Sequence, residues 1–415
     1  MGELKASGKP FDISKQEVWD AWVKVRGNKG SGGVDGVSVE AFEKDLKDNL
    51  YRVWNRMCSG TYFPPEVKAV AIAKRQGGTR VLGVPTVADR VAQTVVAAHL
   101  SDRVEQVFHP DSYGYRPSRS ALDAVGVCRE RCWRFDWVVE FDIRSFFDTV
   151  PHAKVVACVE RHTEARWVVL YVKRWLAAGL RMPDGRVVDR VRGTPQGSAV
   201  SPVLANLFLH YAFDAWMARE YPGAPFERYA DDGVIHARTL AQAQQVLAAL
   251  KVRMAQVGLE LHPDKTRIVY CKDGNRTGSY PDTEFTFLGF TFRPREAEGK
   301  HGTRFTAFLP AISSQALVRL GGTVRSWRLH RRTGIGESDL ARWINPVLRG
   351  WMNYYGRYYR SALNPLFYRV NTYLMRWICK KYRVGWKQAA HRLAYGYRLN
   401  PRYFAHWTQA KPVTG

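Results

Sequence analysis

The sequence has little that would tie it to a membrane or to an oxidising compartment. No run of about 18 apolar residues occurs, so no transmembrane helix is expected. Residues 1–11 contain no apolar stretch of the kind a secretory signal needs. Only six cysteines (Cys58, Cys128, Cys132, Cys158, Cys271 and Cys379) are spread over 415 residues, too sparse for a disulfide scaffold. Cys128 and Cys132 share an i, i+4 spacing, but no second Cys/His pair stands at zinc-finger distance, so no zinc site is expected. These absences describe a reduced, cytoplasmic, soluble protein. The apolar fraction of 46% in turn excludes wholesale disorder.

One further shortage is local. Residues 301–415 contain 20 lysines and arginines against only Glu337 and Asp339, a net of +18 out of +25 for the chain. The same segment holds 20 of the 53 aromatic residues. Basic residues interleaved with aromatics suit a surface that tracks a phosphate backbone and stacks on bases. A surplus of this size points to a polyanion, either nucleic acid or an anionic membrane surface.

Periodicity predicts helices over 12–25 and 38–57, flanking a Gly-rich stretch at 27–36 that lacks the Gly-Lys-Ser/Thr ending of a nucleotide-binding P-loop. Strands are predicted at 67–74 and 79–84, joined by the turn Arg75-Gln76-Gly77-Gly78. Helices follow at 88–107 and 118–133, then a strand at 137–141, then helices at 152–161 and 164–178. The segment 193–211 begins as a turn and becomes an apolar helix. A strand–turn–strand pattern spans 226–237, with Asp-Gly as its turn pair. A helix at 239–257 and strands near 267–271 and 285–292 complete this part. After about Gly302 the pattern becomes helical. The fold class is α+β followed by all-α.

The chemistry concentrates in three places. Tyr229-Ala230-Asp231-Asp232 sets two carboxylates side by side at a tight turn, where like charges raise each other's pKa. A divalent cation removes that penalty, and hard oxygen ligands suit Mg²⁺. Asp142 ends an apolar strand, from which it can complete a three-carboxylate site for two metals about 3.5–4 Å apart, the arrangement used in phosphoryl transfer. The loop Gly193-Thr194-Pro195-Gln196-Gly197 offers small residues for close backbone approach and one amide side chain.

These blocks, in this order, resemble the group II intron reverse transcriptase/maturase family, in a compact form. The resemblance extends through Leu82-Gly83-Val84-Pro85, Ser112-Tyr113-Gly114-Tyr115-Arg116-Pro117, Leu261-His262-Pro263-Asp264-Lys265-Thr266, Phe287-Leu288-Gly289-Phe290 and the segment Asn345 to Gly356. It implies a right-hand polymerase fold: an N-terminal extension with the first fingers helices (1–66), fingers and palm (67–300), and an all-α thumb/maturase domain (301–415).

It further implies that Asp142, Asp231 and Asp232, with the Ile143 carbonyl, bind two Mg²⁺ ions, with Mn²⁺ as a possible substitute. Lys74 and Arg80 would hold the triphosphate of a deoxynucleoside triphosphate, Gln196 would contact the incoming nucleotide, and Lys265 would lie near the pyrophosphate. Phe147 would exclude a ribose 2′-hydroxyl; in an extended strand it and Phe146 point to opposite faces, so one of the two can serve. Arg116, Arg349 and Arg357 would contact template or RNA. The partners implied are an RNA template, a DNA or RNA primer and group II intron RNA, in a ribonucleoprotein that supports splicing and mobility. Arg144, Ser198 and Gly233 depart from the family's usual residues, and Gly233 is expected to loosen the hairpin. With eight residues after Trp407, no C-terminal nuclease domain is expected. Two other readings are a domesticated relative in DNA repair or phage defence, and a catalytically idle splicing factor.

Overall fold

Several helix starts in this chain are written as Ser or Thr caps. Ser14 and Glu17 form a reciprocal capping box ahead of the helix Lys15–Asn28. Thr86 caps the helix Val87–Val104, and Ser313 caps Ser314–Ser326. The computed structural model describes residues 9–73, 79–299 and 301–412. Its strands are β1 (Val67–Ala73), β2 (Thr79–Val84), β3 (Trp137–Asp142), β4 (Leu180–Arg181), β5 (Val187–Val188), β6 (Phe226–Tyr229), β7 (Asp232–Ala237), β8 (Arg267–Tyr270), β9 (Phe285–Phe287), β10 (Phe290–Glu298) and β11 (Arg304–Ile312). The turn predicted at 75–78 lies outside the described residues.

The chain divides into two compact units. The first gathers the residues up to Ser120, Phe141–Gly233 and Gln244–Thr266. It contains a sheet of order β2-β1-β4-β5, in which β1 pairs antiparallel with β2 and parallel with β4. Its longest buried helix, Val87–Val104, packs Val87, Val91, Val95, Val96, Leu100 and Val104 into the core. The strands β4 and β5 were not anticipated, since two residues carry no readable period.

The second unit holds Ala121–Glu140, Val234–Ala243 and the residues from Arg267 onward. It contains the sheet β11-β10-β9, antiparallel throughout, and the tail helices Ser314–Ser326, Glu337–Tyr355, Asn364–Tyr382 and Trp386–Leu399. Buried Asn345 and Asn371 pin the segment after the last of these: Asn345 accepts from the Ala405 amide at 2.8 Å, and Asn371 accepts from Trp407 Nε1 at 3.0 Å. Cys128, Cys132 and Cys271 are fully buried and behave as small apolar side chains. A third sheet has the order β6-β7-β3-β8.

Two sequence expectations are corrected. The predicted helix 38–57 is two helices, Val39–Lys44 and Leu46–Ser59, broken where Asp45 leaves helical geometry. The helical pattern expected after Gly302 starts only at Ser314. Before it, β11 pairs with β10 from Glu298↔Arg304 to Phe290↔Ile312, and this long antiparallel ladder decides the local structure.

Candidate active site

The paired aspartates sit on a backbone bent against its own preference. Ala230 adopts a left-handed φ of 57°, which an L-residue accepts only when its surroundings enforce it. Here they do. Arg228 is fully buried, and its guanidinium donates to both oxygens of buried Asp214 at 2.7 Å, to Asn206 Oδ1, to Ser112 Oγ, and to the Ala230 carbonyl at 3.1 Å. The carbonyl of the strained residue is therefore held by an arginine that cannot move. Asp214 closes a π-helical turn, His210–Asp214, which follows the helix Ser201–Leu209 and carries its carboxylate to Arg228.

Glycines let the neighbours close in. A Cβ at Gly114 would stand 2.5 Å from the Ala230 nitrogen, and one at Gly233 only 2.1 Å from the Phe141 ring. Gly233 lies within β7, not at the turn. The expectation that it loosens the hairpin is corrected: it is the residue that permits Phe141 to pack there.

Asp142 ends β3 and reaches the same place. The segment 260–262 runs beside it: the His262 amide donates to the Asp142 carbonyl, the Arg144 amide to Glu260, and Ile143 bridges Leu261. A 3-10 turn, Pro263–Lys265, then delivers Lys265 Nζ to Asp142 Oδ2 at 2.8 Å. Asp232 is open to solvent along one edge. Even so, the protein packed around its carboxyl, the charges of Asp231 and Asp142, and a hydrogen bond with Asp142 push it up to about 8. Burial works against the Lys265 charge, but the Asp142 hydrogen bond and the three carboxylates outweigh it and raise its pKa. Three hard-oxygen donors gathered at one turn are a fitting donor set for divalent cations. The structure thus brings Asp142, Asp231, Asp232 and Lys265 together.

The loop 193–199 joins this cluster through the residues after Asp142. Thr194 N donates to the Phe147 carbonyl at 2.6 Å and Gly193 N to Val150 at 2.8 Å. Gly193 is left-handed (φ 81°), and a Cβ there would strike the Phe147 carbonyl oxygen. Residues Phe146–Thr149 form a helical turn, so the extended-strand argument for Phe146 and Phe147 is corrected; neighbours on a helix diverge by about 100°. Phe146 is core and Phe147 is half-buried. The Gln196 carbonyl accepts from Gly83 N at 2.8 Å, while its side-chain Oε1 is buried with no partner among the described residues.

Lys74 lies outside the described residues, and Arg80 is placed only by its backbone pairing with Ile72. The expectation for Arg116 is corrected. Its side chain is only 5% exposed, pairs with Glu105 at 2.7 Å and donates to the His109 and Ser112 carbonyls, so it braces the scaffold. Arg349 and Arg357 are exposed on the tail. Arg228, Asp214, Asn206, Asp89 and Gln93 were missed. The readable signal was a charged residue directly before the Tyr-Ala-Asp-Asp turn, and Asp89 and Gln93 at i, i+4 beside the apolar positions Val87, Val91 and Val95 of one helix.

Residues 72–292 match the family described as reverse transcriptase (RNA-dependent DNA polymerase), and residues 317–396 match the group II intron maturase-specific domain. Protein YkfC of Escherichia coli is 30% identical over 298 residues, covering 62% of this chain and 74% of that protein. A 91 kDa protein in the cob intron of Schizosaccharomyces pombe is 24% identical over 459 residues, covering 91% of this chain and 54% of its own length. The group II intron-encoded protein LtrA of Lactococcus lactis is 29% identical over 191 residues, 46% of this chain and 32% of that one. This chain therefore belongs to the reverse transcriptase family, and to that part of it which carries a group II intron maturase-specific domain.

Proposed function

We propose that this chain copies RNA into DNA at the carboxylate cluster and binds group II intron RNA through its basic tail, promoting splicing and mobility of that intron. The observation that carries the reading is the meeting of Asp142, Asp231 and Asp232 on a braced turn, in a chain of this family. Asp142, Asp231 and Asp232, with the Ile143 carbonyl, would hold two Mg²⁺ ions. Bound there, the ions supply activation of a primer 3′-hydroxyl and charge stabilisation at the pyrophosphate leaving group.

The protein's own residues do the rest. Arg228 keeps the two adjacent aspartates in place before any substrate arrives, so no reorganisation is needed at that moment. Lys265, on the rim of the cluster, is a cation for the triphosphate and a proton source for pyrophosphate. Lys74 and Arg80 neutralise the nucleotide's phosphates. The half-buried ring of Phe147 stands under the sugar and discriminates against a 2′-hydroxyl. Gln196, with an unpartnered buried acceptor, meets the incoming nucleotide or its template partner.

The fold read onto these roles is fingers and palm over 67–300, preceded by an N-terminal extension and followed by a helical thumb/maturase domain from 301. In that last part, exposed Tyr368, Trp386 and Tyr395 accompany arginines, a pattern that suits stacking on bases along a phosphate track. Together with intron RNA the protein forms a ribonucleoprotein.

The test is extension of oligo(dT) on poly(rA) with dTTP and Mg²⁺. The wild type extends the primer, and Asp231→Asn does not. Absence of extension by the wild type, or an unchanged rate in the variant, contradicts the catalytic assignment.

A further inference from the structure

The helix Val87–Val104 carries two polar side chains in its buried face. Asp89 and Gln93 are each 1% exposed. A carboxylate in such a place is tolerated only if hydrogen bonds replace water. Asp89 Oδ1 accepts from Tyr62 Oη at 2.8 Å and Trp175 Nε1 at 2.7 Å, and Oδ2 accepts from Gln93 Nε2 at 2.8 Å. Burial raises the Asp89 pKa to about 6 against these three hydrogen bonds, which leaves the group ionised at pH 8 and able only to accept.

An acceptor-only partner fixes which way the Gln93 amide points. Its NH₂ faces Asp89, so its oxygen faces the loop 193–199. There Gln93 Oε1 accepts from Ser198 Oγ and from Ala199 N, both at 2.8 Å. A reversed amide would set its NH₂ against the Ala199 N–H, which can only donate. The other end of the loop is tied as well, by Gly83 N donating to the Gln196 carbonyl. A Cβ at Gly197 would lie 2.5 Å from the Gly83 carbonyl oxygen, so strand β2 and the loop are in direct contact. Gln196 is thus held from both sides, on one side by a glutamine whose orientation a buried aspartate dictates.

We propose that Asp89 and Gln93 are positioning residues for nucleotide binding, and that this buried pair sets the loop so that Gln196 meets the incoming deoxynucleoside triphosphate. This rests on the reading of Gln196 as a nucleotide contact. Neither residue touches substrate; both act through the loop.

The pair can be tested by exchanging its two chemical groups. Asp89→Asn alone removes the acceptor that orients Gln93. Gln93→Glu alone sets a second buried carboxylate against the first. In the double variant the new amide at 89 donates to the new carboxylate at 93, whose other oxygen accepts from Ser198 and Ala199. Every hydrogen bond returns, with one negative charge in total. Primer extension at pH 8 gives KM for the nucleotide and kcat, and thermal melting reports on folding.

Each single variant is expected to raise KM about tenfold, with a smaller change in kcat. The double variant is expected to return KM to within about twofold of wild type, because coupled neighbours do not add. Singles that melt earlier but keep KM overturn the proposal, as does a double variant no better than the worse single. If a single is too unstable to assay, the double decides alone, a near-normal KM supporting the pair and a raised one rejecting it. Gln196→Ala separates the two readings. A raised KM there with silent singles rejects the pair and keeps the contact. An unchanged KM there with shifted singles rejects Gln196 as the contact and keeps the pair as the loop's support.

Discussion

The carboxylate cluster and the basic tail solve opposite electrostatic problems. At the cluster, like charges are forced together and fixed by polar partners: buried Arg228 on Asp214 and Ala230, and Lys265, at the rim, on Asp142. In the tail, 20 cations share two acids, and both acids are already engaged, Asp339 by Arg342 at 3.1 Å and Glu337 by Arg392 at 3.6 Å. Its buried anchors, Asn345 and Asn371, carry no charge. The first region stores charge where geometry must be exact to the ångström. The second spreads charge where a long polyanion needs only many weak contacts.

The largest effect that sharpens this contrast is at the cluster. Asp142→Asn should lower primer extension at least about a thousandfold, about 4 kcal/mol in barrier, as read by steady-state rates. Next is its brace. Arg228→Met strands the Asp214 carboxylate in the core and should cost about 3–5 kcal/mol of stability by denaturant unfolding, because a broken buried pair leaves an uncompensated charge. A variant as stable as wild type would show that the turn is held some other way.

The tail should respond gradually. Arg349→Gln with Arg357→Gln should weaken RNA binding and reduce the slope of log K against log salt by about 0.7–0.9 per lost phosphate contact. An unchanged slope would move the footprint off these residues.

In their response to pH the two regions should differ in sign. The Asp232 pKa is raised above its unfolded value, so the metal-free protein binds the extra proton and loses that stabilisation as pH rises from about 4 through about 8. Asp232→Asn should flatten this limb in a melting series. Buried His406 is lowered to about 3 and stays neutral in the fold, so its contribution is lost as pH falls from about 6.5 through about 3. His406→Gln should flatten the acid limb.

The parts legible in the sequence are those whose cause is local. Ser14 and Thr86 mark helix starts because a cap acts within three residues. The grouping of Asp142, Asp231 and Asp232 was readable because residue type and block order set these three apart. The illegible parts have distant causes. Arg228 looks like a surface arginine until Asp214 and Ser112 are brought to it. Gly233 reads as a turn residue until the Phe141 ring lies over it. Strand β11 reads as helix because only its partner β10 makes it a strand. Asp89 and Gln93 sit at helical spacing, but their meaning lies in Tyr62, Trp175 and Ser198, each from another part of the chain.

If synthesis lives in the acidic cluster and RNA capture in the basic tail, RNA-templated extension and RNA binding should separate when both are measured on one preparation of Asp231→Asn. Extension should disappear while the RNA Kd stays within about twofold of wild type. Continued extension, or RNA affinity lost in parallel with activity, would contradict that separation.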